Sequence, residues 1–210
     1  MQKVKTIAKM LEVGALAIVR TDDYMNAKEI ALGCIDGSIP VMEISYTLNS
    51  AGDIIRKLRK EFGDDLLVGA GTVLDSETAR HAILNDAQFI ISPNFSIEVA
   101  KICNRYQIPY APGCSTLTEA VDALTYGATF IKAFPISDFY GYKLTTVFKT
   151  PIPQMTILAS GGINLENLND WLKSGVDLCG FGNLLTKGDR FKISENAKAI
   201  RDIIDKFREN

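Results

Sequence analysis

Short, continuous apolar runs recur along the chain, with amphipathic stretches between them. The runs are Ala15 to Arg20, Val41 to Tyr46, Leu66 to Val73, Phe89 to Pro93, Pro109 to Cys114, Phe130 to Pro135, Thr156 to Gly162 and Leu178 to Gly182. Strands packed on both faces read as unbroken hydrophobic runs rather than as alternation, which points to a parallel sheet covered by helices. Eight such runs, about 20 to 26 residues apart, match the repeat of a closed β/α barrel. Between them Ala27 to Ile35, Ala51 to Arg59, Glu98 to Cys103 and Leu165 to Leu172 carry apolar residues at helical spacing with polar opposite faces. Asp75, Ser96, Thr116 and Asn164 stand where helix N-caps belong. The pattern predicts an α/β fold, a TIM (β/α)8 barrel with an extra N-terminal helix closing its floor, and a last outer helix from Ile193 to Phe207. An open doubly wound sheet is the rival. It usually places a Gly-x-Gly-x-x-Gly turn after the first strand, where this chain has Arg20-Thr-Asp-Asp23.

With 210 residues, 47% hydrophobic and 23% charged, the chain suits one barrel domain over residues 1–210, and no linker or low-complexity stretch marks a second. The net charge is −2, with no basic patch of the kind that binds nucleic acid or an anionic membrane. The opening residues, Met1 to Met10, thread charges through their apolar positions and do not read as a secretory signal, and no run is long enough to span a membrane. Cys34, Cys103, Cys114 and Cys179 are widely spaced, which reads as four reduced thiols in a cytoplasmic protein. The single histidine, His81, reads as a solvated residue near a helix start, which leaves a metal site short of ligands. No metal or organic cofactor is expected. Asp22, Asp23, Asp75 and Asp138 read as caps or loop carboxylates.

Candidate chemistry starts at Lys132, inside the apolar run Phe130 to Pro135. Burial disfavours the charged ammonium, so a strand lysine at the mouth of a barrel is a ready amine nucleophile for a ketone. A lysine turned outward, or paired with a carboxylate, satisfies the same pattern. Glu43 lies in the equally apolar Val41 to Ser45, where desolvation raises a carboxyl towards the range useful for moving protons; a salt bridge to a neighbouring Lys or Arg, Lys132 included, is the structural alternative. Active sites of such barrels lie at the C-terminal strand ends, where Thr72, Pro93, Gly161, Gly162 and Gly182 fall. Ser160-Gly-Gly-Ile163 and Gly180-Phe-Gly-Asn183 end the last two strands, where barrels often bind phosphate on exposed backbone N–H groups. Turn glycines are the plainer reading of each motif alone; the pair at adjacent strands favours phosphate.

Together, Val68-Gly-Ala-Gly-Thr-Val73, Ile91-Ser-Pro93, Ala111-Pro-Gly113, Ile131-Lys-Ala-Phe-Pro135 and Ser160-Gly-Gly-Ile163 closely resemble the class I aldolases for 2-keto-3-deoxy-6-phosphogluconate (KDPG) and 4-hydroxy-2-oxoglutarate (KHG). The resemblance runs over nearly the whole chain. It implies a homotrimeric barrel acting on a small phosphorylated 2-oxo acid. Lys132 would form a Schiff base with the C2 ketone and Glu43 would shuttle protons. Thr72 and Pro93 would line the carboxylate end, Phe134 would pack on the bound keto acid, and Gly161, Gly162, Gly182 and Asn183 would hold the phosphate. No cofactor is implied.

Three positions depart from the commonest pattern. Thr47 stands where an arginine is frequent, and Arg20, at the end of the first strand, is the candidate to supply the missing charge to the substrate carboxylate. Ser160 replaces a frequent threonine and Asn183 a frequent serine, which leaves open the preferred C4 epimer, gluconate or galactonate, and the need for phosphate. Two other readings stay open: a phosphosugar isomerase or epimerase that makes no use of an amine nucleophile, and a phosphate-binding module without activity. Phe139, Tyr140 and Tyr142 belong either to a subunit contact or to a loop closing the mouth.

Overall fold

In a computed structural model the described residues are 2–135 and 139–209, so Asp138 lies outside them. All strands are parallel and hydrogen-bonded in the order β5-β4-β3-β2-β1-β9-β8-β7-β6. They are β1 Ala15–Val19, β2 Val41–Ser45, β3 Leu67–Gly71, β4 Ile90–Ile91, β5 Tyr110–Ala111, β6 Gly113–Cys114, β7 Ile131–Ala133, β8 Ile157–Ser160 and β9 Leu178–Phe181. Each of the eight apolar runs thus holds its strand.

The fifth run is split because Pro112 has no N–H to donate. Its carbonyl still accepts from Lys132 N at 2.8 Å on one side, and the Ala111 carbonyl accepts from Ser92 N at 3.0 Å on the other. β5 and β6 are therefore two halves of one barrel strand, and the sheet closes through it as an eight-stranded β/α barrel. The physical reason lies in a single missing donor, which an apolar pattern does not register.

The helices are α1 Gln2–Val13, α2 Tyr24–Asp36, α3 Ala51–Phe62, α4 Ser76–Leu84, α5 Ile97–Tyr106, α6 Leu117–Thr125, α7 Lys143–Lys149, α8 Leu168–Lys173, α9 Asn183–Thr186 and α10 Arg190–Arg208. Asp23, Asp75 and Ser96 accept from backbone N–H groups in the first turns of α2, α4 and α5, and Thr116 forms a capping box with Glu119. α1 is the extra N-terminal helix, packed against β1 and β9 with Met10 and Val13 buried. Its last carbonyls lack helical partners, and Arg208 of α10 supplies them, donating to Leu11 O at 2.7 Å and Glu12 O at 2.5 Å.

Two local expectations are corrected. Asn164 does not cap α8: its side chain accepts from Glu166 N at 2.9 Å and Asn167 N at 3.0 Å, closing a turn that delays the helix to Leu168. His81 is not at a helix start but in the last turn of α4, exposed, with Nδ1 3.1 Å from the Tyr46 hydroxyl.

Candidate active site

Lys132 occupies the middle of β7, opposite Gly113 of β6 and Leu158 of β8, and is only 8% exposed. Its Nζ stands 4.8 Å from the centre of the Phe134 ring, within the range of a cation–π contact. It makes no ion pair among the described residues. The alternatives of an outward-facing or carboxylate-paired lysine do not describe this side chain.

Glu43, on β2, is 2% exposed, and its Oε2 is buried without a hydrogen-bond partner. Desolvation pushes its carboxyl above the ordinary value, against the opposing pulls of Lys132 and Arg20. The salt-bridge alternative therefore fails as well: the carboxyl feels both cations but is ion-paired to neither among the described residues. A buried carboxyl and a buried amine in the same barrel, each short of partners, are costly for stability unless a ligand or reaction uses them.

The small residues around this pair have steric causes. A Cβ on Gly71 would lie 2.5 Å from Glu43 Cδ and from Oε1, so the carboxyl occupies the space a side chain would fill. A Cβ on Gly113 would lie 2.1 Å from the Pro93 carbonyl oxygen, so only glycine lets β6 approach the strand end that carries Pro93. Thr72, next to Gly71, is held at φ +58°, an uncommon conformation for a β-branched residue, and its Oγ1 shares a 2.8 Å hydrogen bond with Ser45 Oγ.

Gly161 and Gly162 follow β8 at φ +95° and +68°, a left-handed pair that favours glycine. Ser160 beside them is buried. Gly182 and Asn183 follow β9 on the exposed rim, where a cleft of about 370 Å³ is lined by Ile18, Arg20, Asn26, Gly182, Asn183 and Lys187. Arg20 thus faces the Gly182–Asn183 end while lying close enough to Glu43 to act on its carboxyl. Pro93, Thr72 and Phe134 are half-buried, whereas Thr47 is exposed in the turn after β2.

Ser45, Asn26 and Lys187 were not singled out from the sequence. Ser45 lies two residues after Glu43 on a strand, hence on the same face, and that parity was the available signal. The four cysteines are buried and unpaired, and burial pushes each thiol up to about 12, so none offers a thiolate to rival the amine. Phe139 is 77% exposed, Tyr140 is also exposed, and Tyr142 packs edge-on against Trp171 at 6.2 Å.

Fold and site together define a β/α-barrel enzyme with an amine and a raised carboxyl set in its interior. The family described as "Aldolase: KDPG and KHG aldolase" matches residues 6–203, and the chain belongs to that family of carbon–carbon lyases. It is 33% identical over 168 residues to 2-dehydro-3-deoxy-phosphogluconate aldolase of Treponema pallidum, covering 80% of each chain. It is 31% identical over 176 residues to 2-dehydro-3-deoxy-6-phosphogalactonate aldolase of Escherichia coli, covering 83% of this chain and 85% of that one. Among solved structures, one described as native KDPGal superposes with a TM-score of 0.87 at 29% identity, covering 93% of this chain and 96% of the other.

Proposed function

We propose that the chain is a class I aldolase that cleaves 2-keto-3-deoxy-6-phosphogluconate to pyruvate and glyceraldehyde 3-phosphate, with Lys132 as nucleophile and Glu43 as proton carrier. The observation that carries the reading is the pair itself: Lys132 and Glu43 are both buried, the Lys132 charge pulls on the Glu43 carboxyl, and neither makes an ion pair among the described residues. The Lys132 amine adds to the substrate C2 ketone to give a carbinolamine, which loses water to become an iminium. Glu43, directly or through a water, takes the proton of the C4 hydroxyl. The electron pair of the C3–C4 bond flows into the iminium and glyceraldehyde 3-phosphate leaves. The enamine left behind takes a proton at C3, and hydrolysis of the resulting iminium frees pyruvate and the amine.

In this reading Phe134 packs on the keto acid beside Lys132, and Thr72 and Pro93 line its carboxylate end, with Ser45 holding the Thr72 hydroxyl. The left-handed Gly161 and Gly162 offer backbone N–H groups to the phosphate from one side, and Gly182 with Asn183 from the other. Arg20 lies between the two ends. Thr47 contributes a polar rim in place of charge. The galactonate epimer stays a second substrate, because Ser160 and Asn183 alter the reach of two polar side chains near the phosphate end and one relative is named for that epimer.

The working unit in this proposal is the single barrel of residues 1–210, acting in the cytoplasm as a homotrimer. Among the described residues no helix is long and apolar enough to cross a membrane. The test is pyruvate release, followed with lactate dehydrogenase, from both phosphorylated epimers and from 4-hydroxy-2-oxoglutarate. Turnover of a phosphorylated epimer supports the proposal, and failure on all three substrates ends it.

A further inference from the structure

The rim cleft after β9 holds an imbalance of charge that the backbone glycines do not explain. Arg20 and Lys187 both line it, Asn26 and Asn183 add amide groups, and no carboxylate is among its lining residues. The chain carries 25 acids against 23 Lys and Arg, so a cleft with two cations and no acid is not a sample of the average surface. Neither cation makes an ion pair among the described residues, whereas Lys28, Lys149, Arg190 and Lys192 each meet a carboxylate. The main chain at Lys187 is held in place and its side chain is exposed. Its N–H donates to Asn183 O at 3.0 Å, one turn back, while the Thr186 hydroxyl donates to Gly182 O at 3.1 Å. Ile18 and Ile30 form an apolar wall beside these groups, and a charge contact beside such a wall is less screened than one in open water.

We propose that Lys187 is a specificity-determining residue that selects substrates ending in a phosphate dianion. This rests on the aldolase reading above and extends its phosphate end. The phosphate sits at the opposite end of the substrate from the carbon that bonds Lys132, so a cation on the rim acts on binding of the tail while the bond-making groups act inside the barrel. An ammonium is a compact point charge suited to a phosphate oxygen, and its loss weakens a charge-assisted hydrogen bond without disturbing the amine or the carboxyl of the interior.

The experiment compares the whole protein with Lys187→Ala and Lys187→Arg on the phosphorylated substrate and on 4-hydroxy-2-oxoglutarate, and measures binding of inorganic phosphate by calorimetry. The expected result for Lys187→Ala is a KM on the phosphorylated substrate about tenfold higher, with the phosphorylated-to-unphosphorylated ratio of kcat/KM falling by about the same factor. Lys187→Arg restores most of that ratio, and inorganic phosphate binds Lys187→Ala about tenfold more weakly. An equal change on both substrates, or no change on either, overturns the proposal. If the unaltered enzyme cleaves neither substrate, the aldolase reading falls. The phosphate titration then decides Lys187 alone, with equal affinity for the unaltered protein and Lys187→Ala overturning it.

Discussion

Gly71→Ala tests the geometry of the site with the smallest possible change. The added methyl would stand 2.5 Å from Glu43 Cδ and Oε1 and 2.8 Å from Oε2, where ordinary contact begins at 3.4 Å, so the carboxyl or the strand must give by about 0.9 Å. Both neighbours are enclosed: Glu43 is 2% exposed and every residue of β2 and β3 is buried. The side chain end is softer than the ladder between β2 and β3, so the carboxyl moves. A misplacement of about 1 Å in a reacting group costs on the order of 100-fold, and that loss is expected in kcat, with a smaller change in KM. Overpacking lowers stability by about 1–3 kcal/mol, read as about 2–4 °C in Tm for each kcal/mol in a chain of this size. The assay is pyruvate release by the folded variant, with thermal unfolding recorded on the same preparation. The variant is then repeated in a Glu43→Ala background, where the space is vacated and the second substitution should cost little more. A folded Gly71→Ala enzyme with kcat within about twofold of the original would refute the reasoning, since the effect expected from such a displacement is far larger.

Glu43→Gln should raise stability at neutral pH. Burial holds this carboxyl above its ordinary 4.5, so ionising it costs more in the folded chain than in the unfolded one, a cost that the neutral amide of glutamine does not carry. The stability associated with the neutral form is fully present below that ordinary value and is lost as pH rises through the folded one, at about 1.4 kcal/mol per pH unit while the group titrates. Denaturant unfolding of both proteins across pH should show the variant's advantage shrinking to nothing as pH falls towards 4.5, and an advantage independent of pH would contradict the assignment. Arg20→Ala should raise KM for pyruvate-containing substrates by about five- to twentyfold, the size of a lost charge-assisted contact, and an unchanged KM would remove Arg20 from the site.

Much of this architecture was legible in the chain because closed parallel barrels leave a strong imprint: strands covered on both faces must be apolar throughout, and each of the eight runs holds its strand. Asp75, Ser96 and Thr116 were legible as caps because capping is local chemistry. Asn164 was misplaced for the same reason: an Asx side chain can close a turn as readily as it caps a helix, and the choice depends on the residues that follow. The break at Pro112 hides inside an apolar run, because hydrophobic pattern says nothing about a missing N–H.

Within the site, Lys132 and Glu43 announce themselves as charges inside hydrophobic strands. Whether they would pair with each other was beyond the sequence, since that depends on where two strands far apart in the chain point their ends. The Ser45–Thr72 bond and the left-handed φ of Thr72 likewise exist only once β2 and β3 lie side by side. Lys187 is an ordinary surface lysine until β1 and α9 are seen to share a cleft with it.

The central claim is that the amine of Lys132 condenses with a 2-oxo acid. Incubation of the protein with pyruvate and sodium borohydride, followed by peptide mass analysis, tests it without any assumption about the natural substrate. The account predicts loss of activity with one reduced pyruvyl adduct on the peptide carrying Lys132, and none when borohydride is added without pyruvate. Full retention of activity with an unmodified Lys132, or an adduct confined to other lysines, would contradict it.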